Sequence, residues 1–156
     1  MSEYRGQWRP IPEALVDDPA WRQLSSDGRL VLITVRLSLG ALGLAALPAA
    51  AEQLAKRSGL SVGRTAKALQ ELEGAGWLGM DANDVVLLRR CGFETEHTLA
   101  ATNAKHVGRV RSLLAAVPDC DLKREFLRAF PEWFSDSQPH SPSDSHSDSL
   151  SDRKAH

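Results

Sequence analysis

Arg64, Lys67 and Gln70 are the residues whose types and spacing point most directly to chemistry. At about 100° per residue, Gly63, Arg64, Lys67, Gln70 and Glu71 face the same way on a helix. Arginine pairs with guanine or phosphate, and glutamine reads adenine where it reaches the base edge. Gly63 has no side chain to hold a partner's backbone away. Glu71 stands four residues beyond Lys67 and is expected to pair with it along the helix. Arg57 and Ser61 flank the turn that precedes this helix and complete the candidate DNA-binding set.

The opposite face of the same segment is apolar. Thr65, Ala68, Leu69 and Leu72 fall at i, i+3, i+4 and i+7, the spacing of a buried stripe. The helix is expected to start after a Ser61 cap and to run to Gly74–Gly76. Before it, Pro48 is placed to open a helix ending near Ser58, with Gly59 as a left-handed cap. Ala55 is small where two helices would cross, and Leu54 and Leu60 would pack between them. After it, Trp77–Met80 and Val85–Arg89 read as strands joined by the turn Asp81–Asp84. Helix, Gly-Leu-Ser turn, helix and hairpin in this order describe a winged helix-turn-helix. Its second helix, over 61–75, would enter the major groove of double-stranded DNA.

The elements that must position this segment are also legible. Asp18-Pro19 starts a short helix through Trp21–Leu24. Ser25, Ser26 and Asp27 offer caps for a helix over Gly28–Leu39 that is apolar on several faces. Leu44–Leu47 reads as a short strand. Further on, Asn103, Val107, Val110, Leu114 and Val117 form one stripe on a helix ending before Pro118. A last helix runs over Asp121–Phe130, with Leu122, Phe126 and Leu127 inward. The expected fold is therefore mainly α: a winged helix-turn-helix with a two-stranded wing over residues 1–95, and a C-terminal helical extension over 96–134. Residues 135–156 repeat Ser-Asp at 135, 143, 147 and 151 and hold one large apolar residue, Leu150. Such a segment cannot bury enough surface to offset its ordering entropy, so a disordered tail is expected.

Charge has to be read by region. The 156 residues hold 19 Lys and Arg against 20 Asp and Glu, a formal net charge of −1. That excludes a chain basic throughout. The tail, with four acids and two bases, takes −2 of this, which leaves 17 bases against 16 acids in residues 1–134. Asp81 and Asp84 at the hairpin turn would repel phosphate, so the wing is not expected to enter a groove. Arg89 and Arg90 at its base are candidate phosphate contacts. Lys105 and Arg109 are further candidates, or with Arg111 simply a solvated face.

Other chemistries lack their residues. Cys91 and Cys120 belong to no CxxC pair and no His/Cys cluster, so neither a zinc site nor a disulfide framework is expected. There is no phosphate-binding glycine loop and no nucleophile motif, so neither catalysis nor a cofactor or metal is expected. The apolar stretch 30–51 is broken by Arg36, Gly40, Gly43 and Pro48, short of the roughly 20 continuous residues of a membrane span. The first ten residues lack a signal-peptide pattern, and a cytoplasmic location is expected.

Three stretches carry a family resemblance. They are Trp8-Arg-Pro-Ile11 with Asp18-Pro-Ala-Trp-Arg-Gln-Leu-Ser-Ser-Asp-Gly-Arg-Leu30; Ala68-Leu-Gln-Glu-Leu-Glu-Gly-Ala-Gly-Trp77; and Asn103-Ala-Lys-His-Val107 with Val117-Pro-Asp-Cys-Asp-Leu-Lys-Arg-Glu-Phe-Leu127. Over residues 8–134 the chain resembles the small winged-helix proteins of phages and prophages that act in replication initiation, the replisome organisers. The resemblance implies origin or fork DNA as target and a replicative helicase or helicase loader as partner. The residues alone leave two alternatives open: a transcriptional regulator with the same winged helix, and a protein-protein adaptor that does not bind DNA itself. Oligomeric state, DNA sequence and strandedness have no signal in the sequence.

Overall fold

A computed structural model describes residue 11, residues 13–90 and residues 104–131. Within them the chain is mainly helical with a small antiparallel sheet. In order, the elements are α1 (Ala14–Asp17), α2 (Pro19–Gln23), α3 (Ser26–Ser38), a 3-10 turn (Gly40–Leu42), β1 (Leu44–Ala46), α4 (Ala50–Ser58), α5 (Val62–Gly74), β2 (Leu78–Met80), β3 (Val85–Leu88), α6 (Ala104–Ala115) and α7 (Asp121–Ala129). The expectations for residues 1–10, Cys91, Asn103 and the 135–156 tail lie outside the described residues.

Local capping explains most boundaries. The Asp18 carboxylate accepts from the Ala20 amide at 2.8 Å and Pro19 fills the first position of α2. The Ser25 hydroxyl accepts from the Gly28 amide at 2.9 Å and starts α3 two residues before the expected Gly28. Pro48 does not open α4. The helix begins at Ala50, after Ala49 turns left-handed at φ 50°, and the Pro48 carbonyl accepts instead from Gln53 Nε2 at 2.6 Å. Gly59 caps the other end of α4 at φ 77°, where a Cβ would be strained. Cys120 caps α7, its sulfur accepting from the Lys123 amide at 3.5 Å.

The expected two-stranded hairpin forms, and the expected strand at Leu44 joins it to make a three-stranded sheet. β3 is its centre, with β2 on one side and β1 on the other. Leu44 pairs with Leu87 and Ala46 with Val85, while Leu78 pairs with Leu88 and Met80 with Val86. The reason is that β3 has two hydrophobic faces to cover, and all four of its residues are buried. Val86 and Leu88 point into a core shared with α3, α4 and α5, around Leu32, Leu54, Leu72 and Trp77. Val85 and Leu87 point the other way, into a second core with Leu44, Val110, Leu114 and Phe126. The sheet is thus a thin layer between the α3–α5 bundle and the α6–α7 pair.

Two details bear on stability. Trp21 meets Trp77 edge-on, with ring centroids 6.4 Å apart and planes at 72°. The Trp77 indole Nε1 is buried without a hydrogen-bond partner among the described residues. No helix of the described residues is long and apolar enough to cross a membrane.

Candidate nucleic-acid interface

The segment that carries the candidate residues is rigidly seated. Ser61 Oγ accepts from the Arg64 amide at 3.3 Å, and Thr65 Oγ1 donates to the Ser61 carbonyl at 3.0 Å. Thr65, Ala68, Leu69 and Leu72 are buried, as their spacing predicts. Arg64, Lys67 and Gln70 are exposed on the opposite face. Among the described residues nothing lies within 4 Å of where a Gly63 Cβ would stand, so that position is open to an approaching surface.

The electrostatics differ from expectation at two residues. Arg64 is held by Asp27 in a two-pronged ion pair, Nε to Oδ2 at 2.8 Å and Nη2 to Oδ1 at 2.6 Å. The Arg64 hydrogen bond holds the Asp27 carboxyl below the usual carboxylate range, and the same contact raises Arg64. Glu71 does not pair with Lys67. Its carboxylate swings to α3, accepting from the Ser25 amide at 2.7 Å and the Ser25 hydroxyl at 2.6 Å. Two neutral-to-anionic bonds into a helix start outcompete one flexible surface ion pair. Lys67 is left with no ion-pair partner among the described residues.

Gly28 makes this clamp possible. A Cβ there would stand 2.6 Å from Glu71 Oε2 and 3.3 Å from Ser25 Oγ. α5 is therefore tied to the first turn of α3 at two points, through Arg64 near its start and Glu71 near its end.

The remaining candidates divide. Arg57 is exposed at the end of α4 and donates to Ser38 Oγ at 2.8 Å. Arg89, a candidate phosphate contact, is engaged by Glu125 of α7, with Nε to Oε1 and Nη2 to Oε2, both at 2.8 Å. That contact holds the Glu125 carboxyl below its ordinary range. The pairing arises because α7 packs against β3, which brings the base of the hairpin under Glu125. Arg90 lies over the Trp77 ring, 5.4 Å from its centroid. Arg109 is exposed on α6 and makes no ion pair among the described residues. The Lys105 side chain lies outside the described residues.

The hairpin aspartates also separate. Asp81 turns back into the loop, where Oδ1 accepts from the amides of Asn83 and Val85, each at 2.9 Å. Burial pushes its carboxyl up, but the Val85 and Asn83 amides and the Cys120 thiol outweigh that and hold it low. Asp84 is exposed at φ 57°. Among the described residues no three His, Cys, Asp or Glu side chains converge on a possible cation position. Sequence reasoning missed Asp27 and Ser25 as partners of the site. They were legible only as cap residues, because nothing local links positions 37 and 46 residues apart.

The chain matches no protein-family profile, no curated protein and no solved structure.

Proposed function

We propose that the protein is a non-catalytic DNA-binding protein, a winged helix-turn-helix acting in phage-type replication initiation, with α5 entering the major groove. The observation that carries this reading is the outer face of α5. It presents an open Gly63, an exposed Lys67 with no ion-pair partner among the described residues, an exposed Gln70 and a pre-oriented Arg64 on a helix whose inner face is locked in the core. The order α4, tight turn, α5, β2, β3 supports the winged form, with β1 completing a three-stranded sheet. Replication, in preference to transcription, rests on the resemblance of the three quoted stretches, which also supplies the helicase or helicase loader as partner. Asp27 favours a second reading, the adaptor, because it already neutralises Arg64.

Fluorescence anisotropy with a labelled random-sequence duplex in low-salt buffer separates these. Saturable binding is expected, and the double variant Arg64→Glu/Lys67→Glu abolishes it. Lys67→Ala alone, which leaves the Asp27 pair untouched, weakens it severalfold. No binding by the wild-type chain transfers the assignment to the adaptor. A helicase or helicase-loader gene beside this one favours replication over transcription.

A further inference from the structure

The first turn of α4, the flank of α5 and the β2–β3 turn enclose an open groove of about 360 Å³. Its floor is apolar: Ala50, Ala51, Ala66, Leu69 and Met80. Its rim carries three carboxylates, Glu52, Glu73 and Asp84, one from each wall, and among the described residues no Lys or Arg lines it. All three are exposed, and none is in an ion pair among the described residues. The groove is built before any ligand arrives. The Leu47 amide donates to the Asp84 carbonyl at 2.7 Å, and the Met80 amide to Glu73 Oε1 at 3.3 Å, which fixes the turn against its walls. Ala49 and Asp84, the two non-glycine residues with positive φ among those described, both line it.

A polyanion has no place here, because three carboxylates would face its phosphates at close range. The charge and the floor fit the opposite chemistry. A Lys or Arg side chain lays its aliphatic stem on apolar surface and keeps its cation at the rim. The volume admits a few side chains, not a folded domain. We infer that the groove docks a basic amphipathic segment of a partner protein, its apolar residues on Leu69 and Met80 and its cations against Glu52, Glu73 and Asp84. Only Gln70 is shared with the proposed DNA face, so the inference stands whether or not α5 binds DNA.

The test is an amide NMR titration of the full chain with a 14-residue amphipathic peptide of Leu and Lys, and with its Leu and Glu counterpart. The Lys peptide is expected to shift the amides of Ala50, Ala66, Glu73 and Asp84 saturably, and the Glu peptide to leave them in place. Glu52→Gln/Asp84→Asn keeps side-chain size, and Asn tolerates the left-handed conformation at 84. It weakens the Lys peptide about tenfold, two exposed ion pairs' worth, and leaves duplex affinity no lower. Glu52→Gln alone, on an exposed helix turn, gives a smaller loss and serves if the double variant unfolds. Absence of binding, shifts centred elsewhere, equal affinity of the two peptides, or indifference to Glu52→Gln overturns the proposal. Groove amides that move on deleting residues 135–156 put the chain's own tail there. Groove amides that move with protein concentration alone put a second copy there. Either result also overturns it.

Discussion

Asp27 decides how much of Arg64 is available to a partner. The pair is solvent-exposed, so the guanidinium can exchange one carboxylate for one phosphate without unfolding anything. Asp27→Asn removes the competitor, and duplex affinity is expected to rise severalfold in the same anisotropy assay. Gly28 sets a second residue-scale conflict. Gly28→Ala gains up to about 1 kcal/mol of helix propensity. It also drives the Glu71 carboxylate off Ser25, and two hydrogen bonds to a charged group contribute more than that, about 1.5–3 kcal/mol each when shielded. Because this clamp is partly solvated the net expectation is a loss of about 1 kcal/mol by urea unfolding. In a Glu71→Ala background the same substitution becomes neutral or stabilising. The outward set Gly63, Arg64, Lys67 and Gln70 was readable from helical period alone. Its electrostatic partners were not, since they come from α3 across the fold.

Helix α7 shows what an element contributes by docking. Leu122 and Phe126 bury against β3, and the Arg89–Glu125 pair closes the edge of that contact. The Glu125 carboxyl titrates below its ordinary value when folded, so its contribution is present above about pH 4.5 and disappears as pH falls through the lower folded value. Glu125→Gln is expected to remove this part of the acid dependence while costing less than about 1 kcal/mol at neutral pH, since both partners are more than a third exposed. Acid titrations of unfolding free energy for the two chains would overlay if the pair did nothing. Phe126→Ala is a larger matter, about 3–5 kcal/mol for a ring that is 1% exposed. The element boundaries followed legible caps at Asp18, Ser25, Ser61 and Gly59. Pro48 misled because Ala49 adopts a left-handed conformation that its residue type does not announce.

At the scale of the whole molecule, the run Val85-Val-Leu-Leu88 was the clue to the architecture. A hairpin strand with one wet face alternates, whereas this one is apolar throughout because helices cover both of its faces. The pairing with β1 was illegible, since Leu44–Ala46 and Val85–Leu87 are joined by no local signal. A fragment cut after residue 95 would expose Leu42, Leu44, Val85 and Leu87. It is expected to lose cooperative unfolding or to aggregate, as light scattering and thermal melts would reveal. A fragment that melts as sharply as the full chain would make 1–95 an independent domain.

The Asp27–Arg64 pair also changes what an ionic-strength titration would count. An arginine that neutralises a phosphate normally releases about one condensed cation, and the slope of log affinity against log salt tallies such events. If α5 binds DNA, Arg64 would leave a carboxylate, and Asp27 would then recruit a cation of its own. The exchange is nearly ion-neutral, so Arg64 would hold the DNA while staying almost invisible in the slope. Asp27→Asn should steepen the slope by about one unit as well as tighten binding.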